Sequence, residues 1–334
     1  MTGPPRTAAS ASRCCHRRRA QVPVPPASPE PLNRRARSAA ALQHMRPRSW
    51  PVVAGHFLAG AAAAASPEIL LERAPWILAA AVIWSVGLNG GTLALNSAVD
   101  RDEGDVGYLD GPPPVPRGLA VFGVSIMVAA LALSLVTVRA GYLGEIFPLL
   151  LGGSLILSIL YSVPPVRLKA RAGYDMMVNC AGYGGITFLA GAAATTRPLD
   201  AAVLWAGTGF AVLFASIYPL TQIYQMEDDA RQGIRTLVVR LGRRGSLILA
   251  TAAAAVALSC LALGIMARHP GTPLRAVLPL VLPVTLWIRV LLPHLVTGGV
   301  ACDKKTMYAG LRAWAVTDLI AALCLMPGLM SVAA

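Results

Sequence analysis

From Ser49 onward the chain alternates long apolar stretches with short polar ones. Nine of the stretches approach the ~20 residues that a helix needs to cross a bilayer. They run over 49–66, 75–97, 118–138, 146–163, 174–193, 200–222, 246–266, 277–296 and 310–331, the eighth being interrupted by Arg289, His294 and prolines. Residues 1–47 are a different material, rich in Arg, Pro, Ala and Ser, with Arg17-Arg18-Arg19, Arg34-Arg35 and one acid, Glu30. They lack the apolar periodicity a packed core requires and are predicted to be disordered. Without a clear amphipathic helix, a basic tail or an over-extended start upstream of Met45 fits them better than an organelle transit peptide. The expected organisation is a tail over 1–47 and an all-α polytopic membrane bundle of about nine transmembrane helices over 48–334. Its spans one to four and five to eight read as two four-helix pseudo-repeats, followed by one more helix.

Composition agrees with this pattern. The chain is 55% hydrophobic and 13% charged, with a mean hydropathy of +0.59, against roughly 25% charged for a soluble domain. The formal net charge of +13 raises the question of nucleic acid, but the basic residues sit in the tail and in alternate loops. Arg101 and Arg117, then Arg167, Lys169 and Arg171, then Arg231, Arg235, Arg240, Arg243 and Arg244, then Lys304 and Lys305 fall on one side. The opposite loops hold only Arg73, Arg139, Arg197, and the pair Arg268 and Arg275. The positive-inside rule therefore places the N-terminus and the basic loops in the cytoplasm. A bacterial cell membrane is expected, with an organelle membrane as the alternative, membrane lipids as surroundings and no nucleic acid as partner. The six cysteines form no CxxC or other ligand spacing.

The acids are distributed less evenly than the bases. Of 16 carboxylates, five (Asp100, Asp102, Glu103, Asp105 and Asp110) follow the second apolar stretch, and three (Glu227, Asp228 and Asp229) follow the sixth. Both clusters fall on the cytoplasmic side. Closely spaced carboxylates near hydrocarbon repel one another unless a cation neutralises them. Mg²⁺ suits such a site, because it takes one or two carboxylates together with phosphate oxygens. On a helix Asn96, Asp100 and Glu103 share a face, as do Gln222, Gln225 and Asp229, with Asp228 nearby. Gly104 is a plausible helix stop, past which Asp105 can fold back. Two solvated acidic loops are the plain alternative.

These segments resemble the UbiA superfamily of intramembrane prenyltransferases. Asn96 and Asp100 match the start of its N-x-x-x-D-x-x-x-D motif, and Arg101 is also family-like. Gln225-Met226-Glu227-Asp228-Asp229, followed by Gly233-Ile234-Arg235-Thr236-Leu237, is similar to the D-x-x-x-D region. Tyr161-Ser162-Val163-Pro164-Pro165-Val166-Arg167-Leu168-Lys169 is similar to the Tyr-Ser-x-Pro-Pro-x-x-x-Lys loop. The resemblance extends from about Met45 to the C-terminus.

It implies a Mg²⁺-dependent transfer of a prenyl group from a prenyl diphosphate to a lipophilic acceptor, aromatic or quinone-precursor, through an allylic carbocation. The implied metal ligands are Asn96, Asp100, Asp102, Asp105, Gln225, Asp228 and Asp229. Arg101, Arg167, Lys169 and Arg235 would contact the diphosphate, and Tyr161 would face the carbocation, with Asp100 and Asp229 essential to turnover. Two departures bear on this set. Gly104 stands where the first motif has its last Asp, so Asp102, Glu103 or Asp105 must supply that oxygen, and Gln225 replaces the first Asp of the second motif. A secondary transporter and a degenerate, non-catalytic member are the competing readings. A CDP-alcohol phosphotransferase is disfavoured because its D-G-x-x-A-R segment is missing. Arg167, Lys169 and Arg171 have a simpler reading as topology anchors, and Tyr161 as an interfacial aromatic. His56, His269 and His294 have no partner at metal-ligand spacing and are assigned no role.

Overall fold

A computed structural model describes residues 33–101, 106–223, 226, 236–299 and 302–329. Apart from one isolated bridge between Val106 and Leu109, the regular structure in them is helical. In chain order the helices are α1 (Arg34–His44), α2 (Trp50–Ala64), α3 (Pro67–Glu72), α4 (Ala74–Asp100) and α5 (Leu119–Arg139). They continue with α6 (Ile146–Ser162), α7 (Tyr174–Ala194), α8 (Ala201–Gln222), α9 (Leu237–Arg268), α10 (Pro273–Val296) and α11 (Lys304–Leu325). Every apolar stretch seen in the sequence contains a helix, but seven of them are long and apolar enough to cross a membrane: α4, α5 and α7 to α11. Helix α6 has 17 residues and α2 has 15, shorter than the ~20 that a bilayer core requires.

Local chemistry sets several ends. Asp200 caps α8 by accepting from the Val203 amide at 3.0 Å, and Asp303 and Thr306 form a reciprocal capping box at the start of α11. Gly242 at φ 67° kinks α9 near its start, a conformation glycine adopts without steric cost. Helix α11 begins several residues ahead of the predicted 310–331 stretch, because hydropathy does not register its polar first turn, Lys304-Lys305-Thr306.

The predicted disorder of 1–47 is corrected for the part that is described. Residues 34–44 form α1, capped by the Asn33 side chain on the Ala36 amide at 2.9 Å. Its buried Ala40 and His44 and the following Met45 are held by distant chain: the His44 ring meets the Pro113 carbonyl at 3.0 Å, and Met45 packs with Ala94 and Leu119. Those partners lie 49 or more residues away, so no local periodicity announces this helix.

The interior is built from close backbone approaches and aromatic rings. A Cβ on Gly60 would lie 1.9 Å from the Phe188 carbonyl, and one on Gly191 would lie 1.7 Å from that of Phe57. Helices α2 and α7 thus meet backbone to backbone, which only small residues permit. One core packs Phe57, Trp84 and Phe147 between α2, α4 and α6, and another packs Phe188, Phe210, Trp287 and Trp314 across α7, α8, α10 and α11. Helices α4 and α8, which lead into the two acidic clusters, are the best covered of the seven long spans, while α5 and α10 are the least. Exposed Val121, Val128, Leu133 and Val136 on α5, and Val281, Leu282, Ile288 and Leu292 on α10, present the apolar surface that acyl chains solvate.

Candidate functional site

The polar site lies where α4 ends. Asn96 and Asp100 sit one turn apart on its last two turns, and Arg101 closes the helix in a left-handed conformation (φ 54°), its amide donating to the Ser97 carbonyl at 2.9 Å. The chain after α6 comes back over this end. Lys169 Nζ donates to Asn96 Oδ1 at 2.6 Å and also to Asp100 Oδ2. Arg167 Nη2 donates to Asp100 Oδ1 at 3.1 Å, and Ser162 Oγ to Asn96 Oδ1 at 3.2 Å. The structure therefore brings Asn96, Asp100, Arg167 and Lys169 together as one group. Its i, i+4 face is the one that Lys169 spans. Exposure is graded across the group: side-chain accessibility is 12% at Lys169, 23% at Asp100 and 45% at Arg167. Among the described residues Arg101 makes no side-chain hydrogen bond or ion pair with this group.

Behind it lies a layer of which sequence reasoning named only Tyr161. Tyr161 Oη accepts from Asn179 Nδ2 at 3.1 Å, and Asn179 Nδ2 also reaches the Asp175 carbonyl at 2.7 Å. Asp175 is fully buried, yet its carboxylate accepts from the Gly173 amide at 2.7 Å, Tyr218 Oη at 3.0 Å and the Leu237 amide at 3.4 Å. Three donors from three elements make a buried carboxylate tolerable. The one sequence signal was an acid at the start of an apolar stretch, and helix capping explains such an acid just as well. Asp175 also draws together the flanks of the second acidic cluster, since Tyr218 lies near the end of α8 and Leu237 opens α9. The cluster itself, with Gln225, Glu227, Asp228, Asp229 and Arg235, lies outside the described residues, as do Asp102, Glu103 and Asp105.

The loop after the first cluster is pinned from both ends of the chain. Arg46, in the left-handed region at φ 50°, donates to the Gly107 carbonyl at 3.2 Å and to Ser97 Oγ at 3.4 Å. Asp110 pairs with Lys304 at 2.7 Å and Arg48 at 3.1 Å. The Lys304 hydrogen bond and charge, followed by those of Arg48, hold the Asp110 carboxyl below its ordinary value. Burial pushes the Tyr108 phenol up to about 12, with the Tyr183 and Tyr308 hydroxyls acting in the same direction. The loop that follows the first cluster thus takes its fixings from residues 46, 48 and 304.

Among the described residues no three His, Cys, Asp or Glu side chains gather as a metal site. What is present is a pair of oxygen donors. The Lys169 ammonium bridges the Asn96 amide oxygen and an Asp100 carboxylate oxygen, so these two hard oxygens already converge on a cation. One charged and one neutral oxygen from a single helix face is a donor set that fits Mg²⁺.

Comparison with known proteins gives a consistent result. The model of the UbiA prenyltransferase family matches residues 49–308. The chain is 29% identical over 218 residues to chlorophyll synthase, chloroplastic, of Oryza sativa subsp. japonica, and 30% identical over 217 residues to that of Avena sativa. Each alignment covers 60% of this chain and 54% of the relative, so the chain matches about half the length of these curated relatives. Among solved structures, a UbiA homolog from Archaeoglobus fulgidus superposes with a TM-score of 0.61 at 18% identity, covering 86% of this chain and 99% of that one. The same homolog bound to GPP and Mg²⁺ gives 0.61 at 19% identity, over 86% and 99% of the two chains. Bound to DMAPP and Mg²⁺ it gives 0.59 at 22%, over 82% and 98%. At these identities the superpositions establish the fold.

Proposed function

This chain belongs to the UbiA prenyltransferase family and is an integral membrane protein, and from that premise we propose that it transfers a prenyl group from a prenyl diphosphate to a lipophilic acceptor within the membrane. The observation that carries this reading is the convergence of Lys169 and Arg167 on Asn96 and Asp100 at the end of a well-covered span. A diphosphate needs metal-binding oxygens and cationic donors side by side, and here they already touch.

Mg²⁺ would be held by Asn96 and Asp100 together with Gln225, Asp228 and Asp229, with Asp102, Glu103 or Asp105 completing the first set; when bound, it would neutralise the diphosphate oxygens and favour departure of the diphosphate. Lys169 and Arg167 exchange their contacts with Asp100 for contacts with the diphosphate, the guanidinium offering a planar fork and the ammonium a point charge. Arg101 and Arg235 add cationic contacts at the same mouth. Charge developing on the leaving group is met by donors already in position, so little reorganisation is required. Tyr161 presents its ring to the allylic cation, an attraction of about 0.5–2 kcal/mol. Asn179 holds the Tyr161 hydroxyl at 3.1 Å and fixes the direction of that ring. The prenyl chain lies among the aromatic side chains of the interior, where water is excluded and the cation survives until the acceptor attacks. In this reading the mouth faces the cytoplasm, as the basic loops indicate.

The test is product mass spectrometry on the purified protein in nanodiscs, supplied with a panel of prenyl diphosphates, Mg²⁺ and a membrane lipid extract. Because both named relatives are chlorophyll synthases, chlorophyll precursors stand first among added acceptors. A prenylated product that is lost on adding EDTA is expected. Failure to consume any donor, in the presence of every acceptor tried, would overturn the proposal.

A further inference from the structure

Away from the mouth, the bundle buries one more pair of titratable groups, which the transfer reaction does not use. His56 on α2 is 3% exposed and Asp318 on α11 is 7% exposed. His56 Nδ1 lies 2.6 Å from Asp318 Oδ1, and Nε2 lies 2.8 Å from the Gly184 carbonyl oxygen on α7. Phe210, Trp314 and Phe188 surround the imidazole, with ring centroids at 4.8, 5.2 and 5.8 Å.

The proton count follows from the acceptors. A carbonyl oxygen only accepts, so Nε2 must carry a hydrogen; an ionised carboxylate also only accepts, so Nδ1 must carry one too. A neutral imidazole has a single N–H and would turn a lone pair toward a bare, buried carboxylate, which is costly in an apolar interior. The second proton makes the pair neutral as a whole. Three aromatic rings within about 6 Å favour placing it on the ring, since a π face attracts a cation at that range.

The Gly184 carbonyl belongs to a π-helical segment, Cys180–Ile186, inside α7. Such segments shift the backbone hydrogen-bond register and occur often at functional sites. This one is fixed by side chains. The Thr187 hydroxyl takes the Gly182 carbonyl at 2.8 Å, while Trp84 Nε1 donates to that hydroxyl at 3.1 Å. A Cβ on Gly184 would lie 2.4 Å from the Phe210 carbonyl, so α8 bears directly on the segment. From the same turns Tyr183 donates to Asn89 Oδ1 at 3.0 Å, and Asn179 donates to the Tyr161 hydroxyl.

We propose that His56 is a protonated positioning residue: held cationic by Asp318, it clamps the Gly184 carbonyl and thereby fixes the π segment at whose start Asn179 holds the Tyr161 hydroxyl. The effect on turnover rests on the prenyl-transfer reading, whereas the protonation state and the clamp do not. Selective ¹⁵N-histidine labelling, with the His56 signals identified as those lost in His56→Gln, tests the state in the wild-type protein at pH 8, where an exposed imidazole is mostly neutral. Two N–H signals are expected from His56. A bare ring nitrogen would overturn the assignment, and this measurement, read on the wild-type protein, needs no working assay. Hydrogen exchange then tests the clamp. Amides over 180–186 should exchange at least tenfold faster in His56→Phe than in wild type, and unchanged exchange in the folded variant would refute it. With active wild type, His56→Phe should lower kcat about tenfold or more while KM for the prenyl diphosphate stays within twofold. A wild-type kcat, or a fall seen only as a raised KM, counts against positioning. Wild type that transfers nothing refutes the prenyl-transfer reading alone.

Discussion

Two polar regions share this apolar bundle, and they handle charge in opposite ways. At the mouth, Asp100 is contacted by Lys169 and Arg167 and remains 23% accessible, while Arg167 is nearly half exposed. In the interior, Asp318 meets His56, each imidazole nitrogen already has an acceptor, and rings close around the pair. Partly solvated ion pairs contribute little and exchange partners readily, whereas breaking a buried pair leaves an uncompensated charge. The contacts at the mouth are therefore cheap to exchange, and those of the interior pair are costly to break. Asp175 lies between the two cases. It is a buried carboxylate at the site, satisfied by two amides and a phenol rather than by a cation.

That contrast breaks most decisively at the two aspartates. Asp100→Ala should reduce prenyl transfer by more than 100-fold while the thermal unfolding temperature in detergent moves little. Full activity in that variant would remove the mouth from the mechanism. Asp318→Ala should act on stability, costing about 3–5 kcal/mol as expected for breaking a buried pair, measured by thermal or denaturant unfolding. An unaltered midpoint would show that the interior pair is not held as the geometry indicates.

Smaller changes sharpen the comparison. Lys169→Met should leave folding intact and raise KM for the donor by about tenfold, the size of one lost charge-assisted hydrogen bond of about 1.5 kcal/mol. Tyr218→Phe removes one of three donors to Asp175 and should cost about 1 kcal/mol, seen as a lower unfolding midpoint. The smallest effect is expected at exposed Asp110. Its carboxyl is held below 3.8, first by Lys304 and then by Arg48, so its stabilising contribution is complete above that value and disappears as pH falls through the lowered one. Asp110→Asn should thus be slightly less stable than wild type at pH 7 and indistinguishable from it in strong acid. A difference that persists in acid would mean that Asp110 acts by packing rather than by charge.

The chain order of apolar and polar residues was enough to fix the helical membrane bundle, because spanning length and hydropathy are local properties. The spacing of Asn96 and Asp100 and the run Tyr161 to Lys169 were enough to name residues that the fold brings together, because an i, i+4 pair shares a helix face wherever the helix goes. Which cations land on that face could not be read from spacing, since Lys169 is 69 residues from Asp100. Helix α1 was hidden for the same reason, its buried face being defined by Pro113, Ala94 and Leu119. His56 finds Asp318 only 262 residues later, and beyond the nearby Gly173 amide the donors to Asp175 lie 43 and 62 residues on. A buried polar group is satisfied by whatever the fold brings within about 3 Å of it, and only tertiary structure determines that.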